Sequence, residues 1–565
     1  MVEGQGSKAA LAARHGARRA RGPSRGRRPF RQRRSDRMKS LPRAAAVVAA
    51  VLFVMSLMAG AEPVAAAGDK KAQQRAERSL RAGEFEEAEK VFRELLAKSP
   101  RDTSARLGLS YALLKQRKYQ DAYDHAARVL ASDPASSRAH ALLGAALLGT
   151  GNFRLSVEEF RTALSFKDDD AMAVAGLAMV DFYENRVSAS LEGMRRAAFL
   201  DTSEPDYQFH LGQIAARYER YAEAANAYET FLRVAPKTDA DRRARIRGLI
   251  DFLRYLGTQS DIISVSGSSR VTVPFDLVNN RPILKVRVNN SKETLRFVLD
   301  TGAGMSVLSR EAAERLGIRP VARGGMARAV GGEGRFEIVY GFLQTLHIGE
   351  ARIERLPVYI REFYSQQEPV DGYIGLSVVS KYLTTVDYGQ KTMRLLRNDA
   401  RADHVIANPT ALVELPIRTT SSGFWTGEFK IEGVEPIVNL IVDTGATISV
   451  ISQALATREA MDRFAQNQLI RVYGAAGLAD NIRTLMLPRV HLTPTHARAN
   501  VSAAVLDMDS INETAGFEQA GIIGGNVLRH YRVTFDFNRA VVQLEPLVQA
   551  VPEERTTVPV VSSQP

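Results

Sequence analysis

Residues 69–238 repeat with a period of 34 and no gap, and that period limits the architecture before any single side chain is considered. Segments that begin at Asp69, Thr103, Ser137, Ala171 and Pro205 align throughout. The seventh position is Leu109, Leu143, Leu177 and Leu211, with Arg75 in the first segment. The twentieth is small in all five: Ala88, Ala122, Ser156, Ser190 and Ala224. Pro100, Pro134 and Pro236 share the thirty-second position, where the fourth segment has Thr202. Gly83 and Gly151 fall midway. Such a unit holds two helices and a turn, and it cannot bury its apolar face alone, so copies must stack. The small residues suit helices that cross closely, and the prolines end the second helix.

This pattern resembles the tetratricopeptide repeat and predicts five repeats plus a capping helix over 69–257. The cap reads from "DADRRARIRGLIDFLRYLG", starting at Asp239. The resemblance implies a concave face for a peptide or protein partner. A rigid spacer without a ligand is the alternative.

After "TQSDIISVSGSSR", read as a linker over 258–270, the periodicity changes from helical to alternating. "PILKVRVNN" and "ETLRFVLD" read as strands, the second ending in Asp300 within "DTGA". "SREAAERLGI" reads as a short helix, capped by Ser309 and stopped by Gly317. The plan returns 143 residues later, where "PIVNLIVD" ends in Asp443, again within "DTGA". Each copy has a downstream half with two apolar residues before a glycine, Tyr373-Ile374-Gly375 and Ile522-Ile523-Gly524. A short helix follows, and then a hairpin that turns after Asp387 or Asp536. The duplication sets two lobes, 271–396 and 413–547, joined by a linker over 397–412.

Strand, Asp-Thr-Gly-Ala and a later apolar-apolar-Gly segment together resemble the retropepsin-type aspartic protease fold over about 270–547. The predicted fold class is therefore an all-α repeat solenoid followed by an all-β, two-lobed acid protease. The resemblance implies catalytic Asp300 and Asp443. One carboxylate cannot both activate water and protonate a leaving amine, whereas two in contact share a proton and divide the work. Thr301 and Thr444 are expected to bond across the two loops. Gly302 and Gly445 let backbone N–H groups approach the carboxylates, and Gly375 and Gly524 avoid clashes with the motif strand. Two lobes in one chain favour an intramolecular pair. Ala303 and Ala446 leave the pair without a neighbouring hydroxyl, which predicts a mildly acidic optimum. Flaps are expected at the Gly-rich turns 329–335, with Gly331 and Gly332, and 472–481, with Tyr473 and Gly474.

The net charge of +13 suggests nucleic acid, but residues 1–43 carry 14 Lys/Arg against Glu3 and Asp36, leaving about +1 elsewhere. The basic charge thus belongs to an Arg-rich tail, 1–37, expected to be disordered, and nucleic acid is not an expected partner. Met38 is a plausible true start. From there Lys39 and Arg43, an apolar run over 44–61 and small residues to Ala67 form a signal-peptide pattern. Cleavage is expected after Ala61 or Ala67, placing a bacterial protein in the periplasm or outside the cell. The alternative is an uncleaved membrane anchor through 44–61, facing the periplasm. The tail 548–565 reads as disordered. There is no Cys, and the nine His show no metal-ligand spacing, so neither metal nor cofactor is expected.

Three functions compete at this level: an exported aspartic endopeptidase with a recruiting array, an inactive peptide-binding scaffold, and an assembly platform built on the repeats. The two intact aspartates favour the first.

Overall fold

The computed structural model describes residues 63–329, 334–363, 369–403, 406, 409–435 and 437–547. The Arg-rich tail, the signal-like segment through 62, Gly331, Gly332 and the tail 548–565 lie outside the described residues. The chain divides into two units, Met1–Ala67 and Gly68–Pro565, and the second holds the repeats and both lobes.

Five helix pairs and a cap form the array. They are α1 (Pro63–Ala82) with α2 (Phe85–Lys98), α3 (Thr103–Lys115) with α4 (Tyr119–Leu130), and α5 (Ser137–Gly149) with α6 (Phe153–Phe166). Then come α7 (Ala171–Tyr183) with α8 (Val187–Leu200), α9 (Pro205–Arg217) with α10 (Tyr221–Val234), and α11 (Ala240–Gly257). Asp102, Asp170 and Asp239 cap α3, α7 and α11 by accepting from the third backbone N–H beyond them. Ala88, Ala122, Ser156, Ser190 and Ala224 are all fully buried, as close helix crossing requires. The fifteenth position adopts positive φ in every repeat, at Gly83, Arg117, Gly151, Asn185 and Glu219.

The solenoid curls back on itself. Lys115, on α3, reaches Glu204 at 2.8 Å and Asp206 at 2.6 Å, at the start of α9. The Tyr111 hydroxyl donates to Glu204 as well. Burial works against the Lys115 charge, but the two acids and Tyr111 hold its affinity for the proton well above the usual ammonium range. At the same closure, a Cβ on Gly83 would lie 3.0 Å from the Pro236 ring.

Lobe 1 contains β1 (Ser264–Gly267), β2 (Arg270–Val278), β3 (Arg281–Val288), β4 (Leu295–Leu299), β5 (Ser306–Ser309) and β6 (Ala322–Arg328). It continues with β7 (Arg335–Ile348), β8 (Ala351–Arg361), β9 (Gly372–Ile374), β10 (Leu383–Asp387) and β11 (Thr392–Leu396). Lobe 2 repeats the plan with β12 (Val413–Thr419), β13 (Trp425–Ile431), β14 (Val438–Val442), β15 (Ser449–Ser452) and β16 (Ala465–Gly474). It ends with β17 (Gly477–Thr493), β18 (His496–Leu506), β19 (Gly521–Ile523), β20 (Tyr531–Asp536) and β21 (Val541–Pro546). The segment 258–270 differs from a free linker, because β1 within it pairs antiparallel with β8. Ser309 caps the helix Arg310–Arg315, and Gly317 follows at φ +68°.

Each lobe lends three strands to a shared antiparallel sheet in the order β2, β11, β10, β20, β21, β12. Its seam is β10 against β20, where the buried hydroxyls of Thr385 and Thr534 meet at 2.9 Å. Arg532 bonds Asp387 across the seam at 2.7 Å. This sheet fixes the two active-site loops relative to one another.

The array packs directly on both lobes. Phe252 of α11 stacks on Tyr340 of β7 with ring centroids 4.3 Å apart. Arg245 donates to the Met326 carbonyl at 3.0 Å, and a Cβ on Gly248 would fall 2.0 Å from the Arg323 carbonyl oxygen. Helix α11 therefore grips the hairpin β6–β7 at van der Waals range. On lobe 2, Phe517 packs edge-on against Phe153 and Tyr183, each at 4.9 Å. Beside it, Arg217 of α9 donates to the Thr420 carbonyl at 2.8 Å.

Candidate active site

Strand β4 is buried on both faces and runs into Asp300, and β14 likewise runs into Asp443. An apolar strand ends in a carboxylate because a second buried strand lies parallel beside it: β9 beside β4 and β19 beside β14. The backbone N–H of Asp300 donates to the Ile374 carbonyl, and that of Asp443 to the Ile523 carbonyl, each at 3.0 Å. These bonds hold each Asp at the edge of its lobe, facing the other.

Four reciprocal bonds join the two loops. Thr301 Oγ1 donates to the Val442 carbonyl at 2.8 Å and accepts from Thr444 N–H at 3.0 Å. Thr444 Oγ1 donates to the Leu299 carbonyl at 2.7 Å and accepts from Thr301 N–H at 3.2 Å. Both threonines are fully buried. The bonds cross from one lobe to the other, so both carboxylates belong to one site in one chain.

The glycines leave the room that this contact needs. A Cβ on Gly302 would lie 2.3 Å from Asp443 Oδ2, and one on Gly445 would lie 2.6 Å from Asp300 Cγ. Asp443 Oδ1 accepts from Gly445 N–H at 2.7 Å and from Gly302 N–H at 3.2 Å. Beneath the loops, a Cβ on Gly375 would meet Ala303 O at 2.7 Å, and one on Gly524 would meet Ile448 O at 2.7 Å. The steric demand at these two positions comes from the turn after each Asp.

Burial raises the proton affinity of both carboxyls above the ordinary carboxylate range, and for Asp300 the neighbouring Asp443 charge adds to it. The N–H donors pull Asp443 back down, the shared hydrogen bond acts in the same sense, and Asp300 is the more strongly raised of the two. The two carboxyls titrate as a pair and share one proton.

The sequence reading missed Ser306 and Ser449. Their hydroxyls accept from Gly375 N–H and Gly524 N–H, each at 3.1 Å, and tie each active-site loop to the segment under it. The signal was present: both sit six residues after an Asp, in "DTGAGMS" and "DTGATIS".

The two flap regions are hairpins. In lobe 1, β6 pairs with β7, and Ala329 N–H donates to the Gly334 carbonyl at 2.9 Å; Gly331 and Gly332 lie outside the described residues. In lobe 2, β16 pairs with β17, with Tyr473 opposite Leu478 and Gly474 opposite Gly477. Ala329, Tyr473 and Gly474 line the same cleft as Asp300 and Asp443, a space of about 2740 Å³. Array residues, including Tyr218, Tyr221 and Leu249, form part of its wall. Among the described residues no group of three or more His, Asp or Glu side chains is placed to hold a metal ion.

Three family models match separate parts of the chain. Residues 284–378 match an aspartyl protease family model, and 428–530 match a gag-polyprotein putative aspartyl protease model. Residues 79–145 match a tetratricopeptide repeat model. Among curated proteins, BBSome complex member BBS4 of Bos taurus is 20% identical over 158 residues, which is 28% of this chain and 30% of that relative. Among solved structures, an aspartic proteinase from Irpex lacteus covers 49% of this chain and 98% of its own at 14% identity, with a TM-score of 0.35. A thermophilic TPR protein from Thermus thermophilus covers 32% of this chain and 98% of its own at 18% identity, with a TM-score of 0.28. The chain is a helical repeat array followed by a β-rich region with two aspartyl protease domains.

Proposed function

We propose that the protein is an exported aspartic endopeptidase with catalytic Asp300 and Asp443, whose repeat array receives the substrate chain. The observation that carries this reading is the reciprocal threonine lock, which holds two half-buried carboxyls in contact across the lobes. Such contact costs stability and has no structural use of its own, since a neutral pair would fill the space without repulsion.

In the reaction, ionised Asp443 takes a proton from a water whose oxygen bonds to the peptide carbonyl carbon. Protonated Asp300 donates to the carbonyl oxygen, giving a neutral tetrahedral diol. The carbon–nitrogen bond then breaks as the amine nitrogen takes the proton held by Asp443. One diol hydroxyl returns its proton to Asp300, which restores the starting state. The chemistry needs one proton on the pair, so it fails once rising pH strips that proton.

The array forms part of the cleft wall, which supports the reading that it receives the substrate chain. Export rests on the signal-like pattern over 38–67, with an anchored form as the alternative. The test of the catalytic reading is cleavage of a peptide library by wild type, Asp300→Asn, Asp443→Asn and the double variant. Each single variant is expected to abolish cleavage, and the double variant to be no worse. Half-activity in either single variant would overturn the shared site.

A further inference from the structure

The two lobes repeat one another strand for strand, which makes their differences readable. Ser309 on β5 lies opposite Arg361 at the end of β8, and the matching pair in lobe 2 is Ser452 and Leu506. Val307 lies opposite Tyr373, and the matching pair is Val450 and Ile522. Two residues beyond Arg361 is Phe363, and two beyond Leu506 is Met508. All six of these side chains, Arg361, Phe363, Tyr373, Leu506, Met508 and Ile522, line the cleft. Equivalent positions on either side of the dyad are thus apolar in lobe 2 and carry a guanidinium in lobe 1. Lobe 2 gathers Leu506 and Met508 with Ile470, Ile511 and Ile522 into one apolar cluster.

Among the described residues, the lobe 1 guanidinium has no acid of its own. The Arg361 guanidinium carbon lies 5.9, 5.7 and 5.8 Å from the ring centroids of Phe336, Phe363 and Tyr373. Its Nε is buried and has no hydrogen-bond partner among the described residues. The nearby acids are engaged elsewhere: Glu362 pairs with Arg310 at 2.8 Å, Glu337 with Arg323 at 2.6 Å and Asp371 with Arg315 at 2.7 Å. Arg281 also interacts with Tyr373. Arg361 and Asp300 line the same cleft, and the guanidinium charge acts on the Asp300 carboxyl. A cation in an apolar setting with a donor left over is completed by an anionic acceptor.

We propose that the lobe 1 subsite takes a carboxylate side chain, Glu or Asp, and the lobe 2 subsite a bulky apolar side chain, so that the cleaved bond joins an acidic residue to an apolar one. This rests on the proteolytic reading above and names its substrate class. A carboxylate could also come from a chain terminus. The side chain is favoured because the subsite flanks the dyad, where an endopeptidase holds the interior of a chain.

The test is cleavage at about pH 6, where Glu is ionised, of amide-capped peptides that differ only in Glu, Gln or Leu beside the scissile bond. Wild type should prefer Glu over Gln by roughly tenfold or more in kcat/KM, the scale of one charged hydrogen bond. Arg361→Leu should bring that ratio near one, and Arg361→Lys should keep part of it. A wild-type ratio near one, or an unchanged ratio in Arg361→Leu, overturns the proposal. Equal cleavage of a Gln peptide whose only carboxylate is its free C-terminus overturns the side-chain assignment. If wild type cleaves no peptide, the proteolytic reading fails, and the subsite is read by fluorescence anisotropy of the same labelled peptides on Asp443→Asn. Tighter Glu than Gln binding, lost in Arg361→Leu, supports the subsite; equal binding overturns it.

Discussion

Replacing Thr301 with Val keeps the shape of the side chain and deletes one hydroxyl. That hydroxyl gives a proton to the Val442 carbonyl at 2.8 Å and receives one from Thr444 N–H at 3.0 Å. Neither backbone group can turn to water, because Thr301 and Thr444 are fully buried and Val442 nearly so. Each buried group left without a partner costs about 1–3 kcal/mol, so Thr301→Val should destabilise the lobes by about 2–6 kcal/mol. Thr444→Val orphans the Leu299 carbonyl and Thr301 N–H and should cost the same. Thr301→Ser keeps both bonds and loses one methyl, which costs about 1 kcal/mol. The assay is urea unfolding followed by fluorescence of Trp425, the single tryptophan, which is buried and stacked on Phe537. Peptide cleavage measured alongside should fall by roughly 10²-fold in Thr301→Val if the carboxyls drift by about 1 Å. If Thr301→Val matches Thr301→Ser within about 1 kcal/mol, the reasoning that the lock fixes the lobes is wrong.

A carboxyl pair whose proton affinity rises on folding contributes its full stability below the unfolded value of 3.8 and loses it as pH climbs through the folded range. Wild-type stability, measured by urea midpoint, should therefore fall relative to Asp300→Asn/Asp443→Asn as pH rises from about 4 toward neutrality; parallel pH profiles would refute this. Phe252→Ala removes the ring stacked on Tyr340 and should loosen the lobe 1 flap, raising KM and speeding amide exchange over 322–348. Phe92→Ala, buried in the second helix of the array, is the control. Both substitutions remove about 3–5 kcal/mol of packing, and an equal effect on KM would refute a specific grip on the flap. Mass spectrometry of protein from its native host should find an N-terminus near Glu62 or Gly68; intact protein from Met1 in the cytoplasm would sink the export reading.

Local signals made much of this legible. The 34-residue period gave the helix pairs because each repeat meets the same neighbours, and the two Asp-Thr-Gly-Ala strands exposed the duplicated core. The turn position was legible at Gly83 and Gly151, where residue type announces positive φ. It was hidden at Arg117 and Glu219, where the flanking helices impose the same backbone on residues that do not favour it, and was only weakly signalled by Asn185. Gly375 and Gly524 were read as avoiding the motif strand, whereas the turns after each Asp are what they avoid. Arg361, which has no acid partner among the described residues, was illegible for a different reason. Whether a surface-type residue is paired depends on which acids the fold gives to other partners, and that is settled by tertiary contacts between distant segments. The same holds for α11 on the β6–β7 hairpin, where a capping helix and a flap each looked complete alone.

The contact of Lys115 with Glu204 and Asp206 also sets how many repeats the protein can have. An open solenoid tolerates copy-number change, because a unit gained or lost alters only the length. Here a sixth 34-residue unit inserted between α3 and α9 would carry Lys115 away from both acids. It would strand the ammonium and two carboxylates in a partly buried seam. Unequal recombination, the usual source of variation in tandem repeats, should therefore be lethal to this fold in either direction, and five becomes a number held by geometry.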